Sequence, residues 1–177
     1  MCEQVKNRQT RTKKIAFVGL AASVALLLSY VEFLLPPLFV AVPGIKIGLP
    51  NVIILYVLYC LDVRFAALVS FVRLCVSSLL FGNAMIFTYS LAGAVLSLLV
   101  MYLLKRSDRL SALGVSVAGA VAHNIGQILV AMVLLDTPQI AFYMIVLTLT
   151  GTASGIFIGL CGALLIKRLP KEKIFKN

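Results

Sequence analysis

The sequence predicts an all-α protein, a polytopic membrane domain of six transmembrane helices with both termini in the cytoplasm. Three observations predict it. Of 177 residues, 62% are apolar and only 16 Lys+Arg and 6 Asp+Glu carry full charge, whereas about a quarter of an ordinary soluble domain is charged. Mean hydropathy is +1.08, and the charges stand between long uncharged runs rather than within them. The cations also gather at alternate ends of those runs, the mark of loops retained on the cytoplasmic side. Disorder, a disulfide scaffold and a secreted mini-protein are excluded by the same composition. At about 20 residues per crossing, the chain holds one membrane domain over 15–169, flanked by basic cytoplasmic tails over 1–14 and 170–177.

The elements follow in order. An apolar run over 15–35 is the first span. A cleavable leader competes with it, but the run is too long for a leader core and continues into Leu35-Pro36-Pro37 with no small-x-small site, so a retained helix is expected. The stretch that follows is hydrophobic yet interrupted by Pro36, Pro37, Pro43, Gly44, Gly48 and Pro50, which prevents a continuous helix. The second span, 49–61, reaches only about 20 Å, short of a hydrocarbon core of about 30 Å. A short, Gly/Pro-interrupted segment is the best local pointer to a binding site in a membrane protein. Spans over 63–81, 84–104, 111–135 and 139–166 complete the six. In the last, Gly151, Gly155 and Gly159 recur every fourth residue, a face for close helix packing inside the bundle.

Orientation follows from the cations. Placing Lys6, Arg8, Arg11, Lys13 and Lys14 inside also puts Arg64, the Lys105, Arg106 and Arg109 turn, and the five cations of the C-terminal segment inside, 14 of the 16 in total. The net charge of +10 is therefore topological, and no nucleic-acid partner is expected. Lys46 and Arg73 are the exceptions.

Polar side chains within spans are costly, so they are candidate functional groups. Glu32 falls near the outer end of the first helix, and Lys46 and Asn51 flank the outer start of the second. Arg73 lies nine residues beyond Arg64, about 13 Å deep. His123, Asn124 and Gln127 occupy one turn of the fifth helix on one broad face. All seven belong to the midplane or the outer half, which predicts a polar pocket that opens outward and is closed below. Arg73 supplies a planar fork for a carboxylate or phosphate, and Lys46 a mobile point charge. The alternative is structural, with Glu32 pairing with Lys46 or Arg73 and the His123 turn bridging helices.

Catalysis is not expected. No carboxylate pair is spaced for Mg²⁺-diphosphate chemistry, and HExxH, GxSxG and P-loop patterns are missing. With His123 the only histidine and Cys2, Cys60, Cys75 and Cys161 scattered, neither a metal site nor a cofactor is predicted. Without a nucleotide site, active transport would need an external motor.

The stretch Pro43-Gly44-Ile45-Lys46-Ile47-Gly48-Leu49-Pro50-Asn51 with Glu32 before it, the arginine at Arg73 and the GxxxHNxxQ pattern over 119–127 together resemble the Gx transporter family. That family is also catalogued as heptaprenyl diphosphate synthase component I and is similar to the substrate-binding S components of energy-coupling factor (ECF) transporters. The resemblance covers about 15–169. It implies a six-helix, S-component-like fold in the cell membrane that captures a vitamin- or cofactor-like solute from outside. It further implies docking on a transmembrane coupling subunit driven by two cytosolic ATPases, through an AxxxA face on the first helix, here Ala21 and Ala25, expected to lie open toward lipid. The other name implies a non-catalytic membrane accessory subunit of isoprenoid (menaquinone side-chain) synthesis. Flavin-like and isoprenoid-diphosphate-like solutes both stay open, and Phe39, Phe87, Tyr89 and Tyr143 are candidates to stack on a ring.

Overall fold

A computed structural model of the chain describes the backbone of residues 2–35, 48–136 and 143–169, and side chains within these from 11 to 35, 48 to 134, 136, and 144 to 169. The described residues form six helices: α1 Cys2–Leu34, α2 Asn51–Cys60, α3 Val63–Phe81, α4 Ala84–Ser107, α5 Ala112–Leu135 and α6 Tyr143–Arg168. Five are long and apolar enough to cross a membrane, and α2 is not. The chain is a multi-pass membrane protein. Helix α1 starts well before the expected residue 15, because no Gly or Pro interrupts the basic segment ahead of the apolar run.

The helix ends are set by local chemistry. Asp62 accepts from the N–H of Val63 at the head of α3, Asn83 from Ile86 at α4 and Ser111 from Gly114 at α5, each satisfying a donor that the first turn leaves open. Lys105 and Arg106 close α4 and Lys167 and Arg168 close α6, where cations complement the negative end of the helix dipole. These ends lie together with the starts of α3 and α5, and that basic end of the bundle contrasts with the end where α1 and α3 finish.

In the helix arrangement α1 packs on α3, α3 on α4, α4 on α5, α5 on α6, and α2 on α6, α3 and α1. Glycines set the closest approaches. A methyl group at Gly155 or Gly159 would stand 2.8 Å or 2.9 Å from the backbone of α5, and one at Gly126 would stand 2.9 Å from the Ala92 carbonyl on α4. The glycine face of α6 is thus a contact with α5, inside the bundle as its spacing predicts. Helix α2 is apolar all round and buried, with Leu55, Val57 and Leu58 among the most enclosed side chains of the chain, as expected of a helix surrounded by protein.

Helix α1 corrects one expectation. Ala21 and Ala25 are 7% and 0% exposed and belong to the core with Ile54, Leu58 and Val69, so they do not form an outward face. Their small size lets α1 close on its neighbours. The outward face of α1 is instead Ala16, Leu20, Ser23 and Leu27, with Leu20 64% exposed and open space beside Gly19.

Enlarging the buried alanine therefore overpacks the core. Ala25→Leu is expected to destabilise the protein by about 1–3 kcal/mol, and Ser23→Leu, on the outward face, by less than about 0.5 kcal/mol. Thermal or denaturant unfolding in detergent measures both, and equal effects would contradict the burial described.

Candidate functional site

Helix α2 is 10 residues long, about 15 Å, and it is anchored at the basic end. Lys105 donates its Nζ–H to the Leu58 carbonyl at 2.5 Å while lying 5.1 Å from the centre of the Tyr59 ring. The Tyr56 hydroxyl donates to the Leu169 carbonyl at 2.7 Å. From there α2 reaches only to mid-depth. A methyl group at Gly48 would lie 3.2 Å from Ile158, and Ile158 precedes Leu169 by about 16 Å of helical rise.

The start of α2 is built by a turn that needs glycine. Gly48 has φ +79°, a left-handed conformation that costs a side chain about 1–2 kcal/mol. Its carbonyl accepts the Asn51 N–H at 2.8 Å. Its own N–H donates to the carboxylate of Glu32, tying the last turn of α1 to the first of α2.

Asn51 borders a cavity of about 140 Å³. Glu32, Asn51, Arg73, His123, Asn124 and Gln127 all line it, so six of the seven candidate residues converge from α1, α2, α3 and α5. The seventh, Lys46, lies outside the described residues. Arg73 and His123 are near the same level, each about 15 Å along its helix from the basic end, and both line the cavity. The Glu32 carboxylate attracts Arg73.

Most polar groups of the wall are already engaged. Asn124 donates to the Leu147 carbonyl of α6 at 2.5 Å, and His123 hydrogen-bonds to the backbone of Gly93 on α4, where a methyl group would stand 2.7 Å from the His123 carbonyl oxygen. Ser29, Ser77, Ser78, Thr150 and Ser154 donate to carbonyls of their own helices. The Arg73 Nε–H, by contrast, is buried with no hydrogen-bond partner among the described residues.

These five hydroxyl residues also line the cavity and were missed by sequence reasoning. The available signal was position, since Ser77 follows Arg73 by four residues and Ser154 follows Thr150 by four. Of the proposed stacking rings, Phe87 lines the cavity. Tyr89 does not, and its hydroxyl is buried without a partner among the described residues; Phe39 and the side chain of Tyr143 lie outside those residues. The rim instead carries Phe33 and Phe81, stacked at 5.0 Å. Among the described residues no group of three or more His, Cys, Asp or Glu side chains is placed to hold a metal ion.

The family model described as heptaprenyl diphosphate synthase component I matches residues 21–165. No curated protein and no solved structure matches the chain. The matched segment contains α2 to α5 whole, the later part of α1, most of α6, and every residue of the cavity wall named above.

Gly48→Ala is expected to lower stability by about 1–2 kcal/mol and to move Asn51, whose amide nitrogen would lie 3.1 Å from the added methyl. Unfolding midpoints check the first effect, and the accessibility of a cysteine placed at Asn51 checks the second.

Proposed function

The chain belongs to the heptaprenyl diphosphate synthase component I family, and from that premise we propose that it is a solute-binding membrane subunit of the S-component kind. In this reading it captures a small vitamin- or cofactor-like solute from outside the cell and passes it inward when docked on an ECF coupling subunit driven by two cytosolic ATPases. The observation that carries the reading is the cavity: four helices bring six polar side chains to one space at mid-depth, closed toward the basic end by the apolar body of α2. Polar groups are expensive at this depth, and a bundle that needed them only for packing would leave no space between them.

The cation pattern supports an orientation with the basic end in the cytoplasm. The cavity then lies toward the outside, where the solute arrives. Docking is assigned to the outward face of α1 around Ala16, Gly19 and Ser23, since Ala21 and Ala25 are buried. Small residues on a lipid-facing surface allow another helix to approach closely.

The family's description favours a second reading, a non-catalytic membrane subunit that accompanies a heptaprenyl diphosphate synthase. It gives the cavity no task and places the partner at the basic end. The two readings separate on what the protein retains when purified. The solute-binding reading expects a small molecule, detected by mass spectrometry after gentle extraction, that is lost from a cavity-filling variant such as Ser90→Phe with the unfolding midpoint preserved. Equal recovery from both, or none from either, would sink it.

Gly19→Trp and Ser23→Trp are expected to reduce cellular uptake of that molecule by more than about tenfold while the purified variants still bind it. Unchanged uptake would remove the docking assignment and leave the solute site standing.

A further inference from the structure

Building on the cavity as a solute site, we propose that its solute is an organic anion of about single-ring size. A carboxylate or phosphate sits between Arg73 and the N-terminal end of α2, and the apolar body lies toward Phe33, Phe81 and Phe87. Four observations converge on this.

The first is Arg73, whose side chain lines the cavity and whose buried Nε–H has no hydrogen-bond partner among the described residues. A guanidinium presents parallel donors that match an oxyanion, and such charge-assisted pairs are the strong ones. The second is the position of α2, whose N-terminal end faces this space, with Asn51 its lining residue. That end carries roughly half a positive charge, and half-helices that stop at mid-depth are a recurrent way to meet an anionic group. Its first N–H groups are turned back, Asn51 to Gly48 at 2.8 Å and Val52 to Leu49 at 3.2 Å. The helix therefore contributes its dipole, and direct hydrogen bonds fall to Arg73 and the Asn51 amide.

The third observation is the charge and hydrogen-bond balance among the described residues. Glu32 lines the same space, and its carboxylate accepts the Gly48 N–H, which places a negative charge at the turn. Ser77, Ser78, Thr150 and Ser154 spend their protons on helix carbonyls, so they present lone pairs. A second anionic group would meet these oxygens unfavourably, whereas N–H or O–H groups on the ligand body would be accepted. The fourth is size. About 140 Å³ is close to the cavity volume, about 150 Å³, that admits benzene in an apolar core, and the rings at the rim can cover such a body.

Calorimetric titration of the full chain in nanodiscs with benzoate, benzamide and benzylamine tests the inference, since the three share a ring and differ in charge. Benzoate is expected to bind at least about tenfold more tightly than the other two. Arg73→Gln is expected to abolish that preference and Arg73→Lys to keep part of it. The unfolding midpoint of Arg73→Gln without ligand should equal or exceed that of the parent, because an under-partnered buried cation is removed; a merely structural ion pair predicts a fall. Benzamide or benzylamine binding as tightly as benzoate overturns the anion and leaves the solute site intact. Binding of none of the three overturns the single-ring anion as well, and recovery of a co-purified molecule then decides the wider reading separately.

Discussion

The length of α2 is the constraint on which the rest of the structure depends. A helix that must lie among five membrane-long neighbours, yet is only about 15 Å long, fills half of its column. Its lower end cannot slide upward, because Lys105 holds the Leu58 carbonyl and Tyr56 holds that of Leu169. Its upper end cannot grow by a turn, because Gly48 is left-handed there and Pro50 follows two residues later. The cavity begins where the helix stops, at Asn51. Its floor is the first turn of α2, and its walls are whatever the long helices carry at mid-depth.

Placing polar side chains in those walls carries a cost that the bundle offsets nearly everywhere. Serine and threonine on a transmembrane helix can donate back to carbonyls three or four residues earlier, which removes the penalty of a free hydroxyl without a partner helix. Asn124 uses the same economy across helices, through the Leu147 carbonyl, and the glycine at Gly151 makes room for its amide. Arg73 stands apart. A buried donor without a partner costs about 1–3 kcal/mol, and more on a charged group. With Glu32 engaged at Gly48, its carboxylate gives Arg73 charge compensation rather than a hydrogen bond at Nε. The protein tolerates at its centre an arginine Nε–H that has no partner among the described residues.

Much of this was legible in the chain. Counting residues from the basic turns placed Arg73 and the His123 turn at one depth, because helical rise is constant and the cations fix one end of every span. Gly151, Gly155 and Gly159 reported a helix contact, because nothing else explains three glycines in register on an apolar helix. The face of α1 was not legible. Ala21 and Ala25 are small for packing in the core just as they would be for docking outside it, and an apolar run facing protein on one side and lipid on the other has no polar stripe to tell the two apart. The same uniformity hid Ser77, Ser78, Thr150 and Ser154, whose hydroxyls are satisfied locally wherever they point. A residue that must find a distant partner, such as Glu32, announces itself; one that satisfies itself does not.

Helix α1 then has a position that joins the two halves of the functional reading. It is a single uninterrupted helix from Cys2 to Leu34, with its small outward surface around Gly19 and Ser23 and its carboxylate at Glu32. These lie nine to thirteen residues apart, about 14–20 Å of continuous rise. A partner that tilts the lower part of α1 would move Glu32 with it, since a continuous helix transmits rotation along its length. The contact at risk is the hydrogen bond to Gly48, which sets where α2 begins and therefore where the cavity floor lies. In the proposed reading the hydrogen bond from Gly48 to Glu32 would therefore join the docking surface to the solute site, and burial strengthens both that bond and the attraction between Glu32 and Arg73.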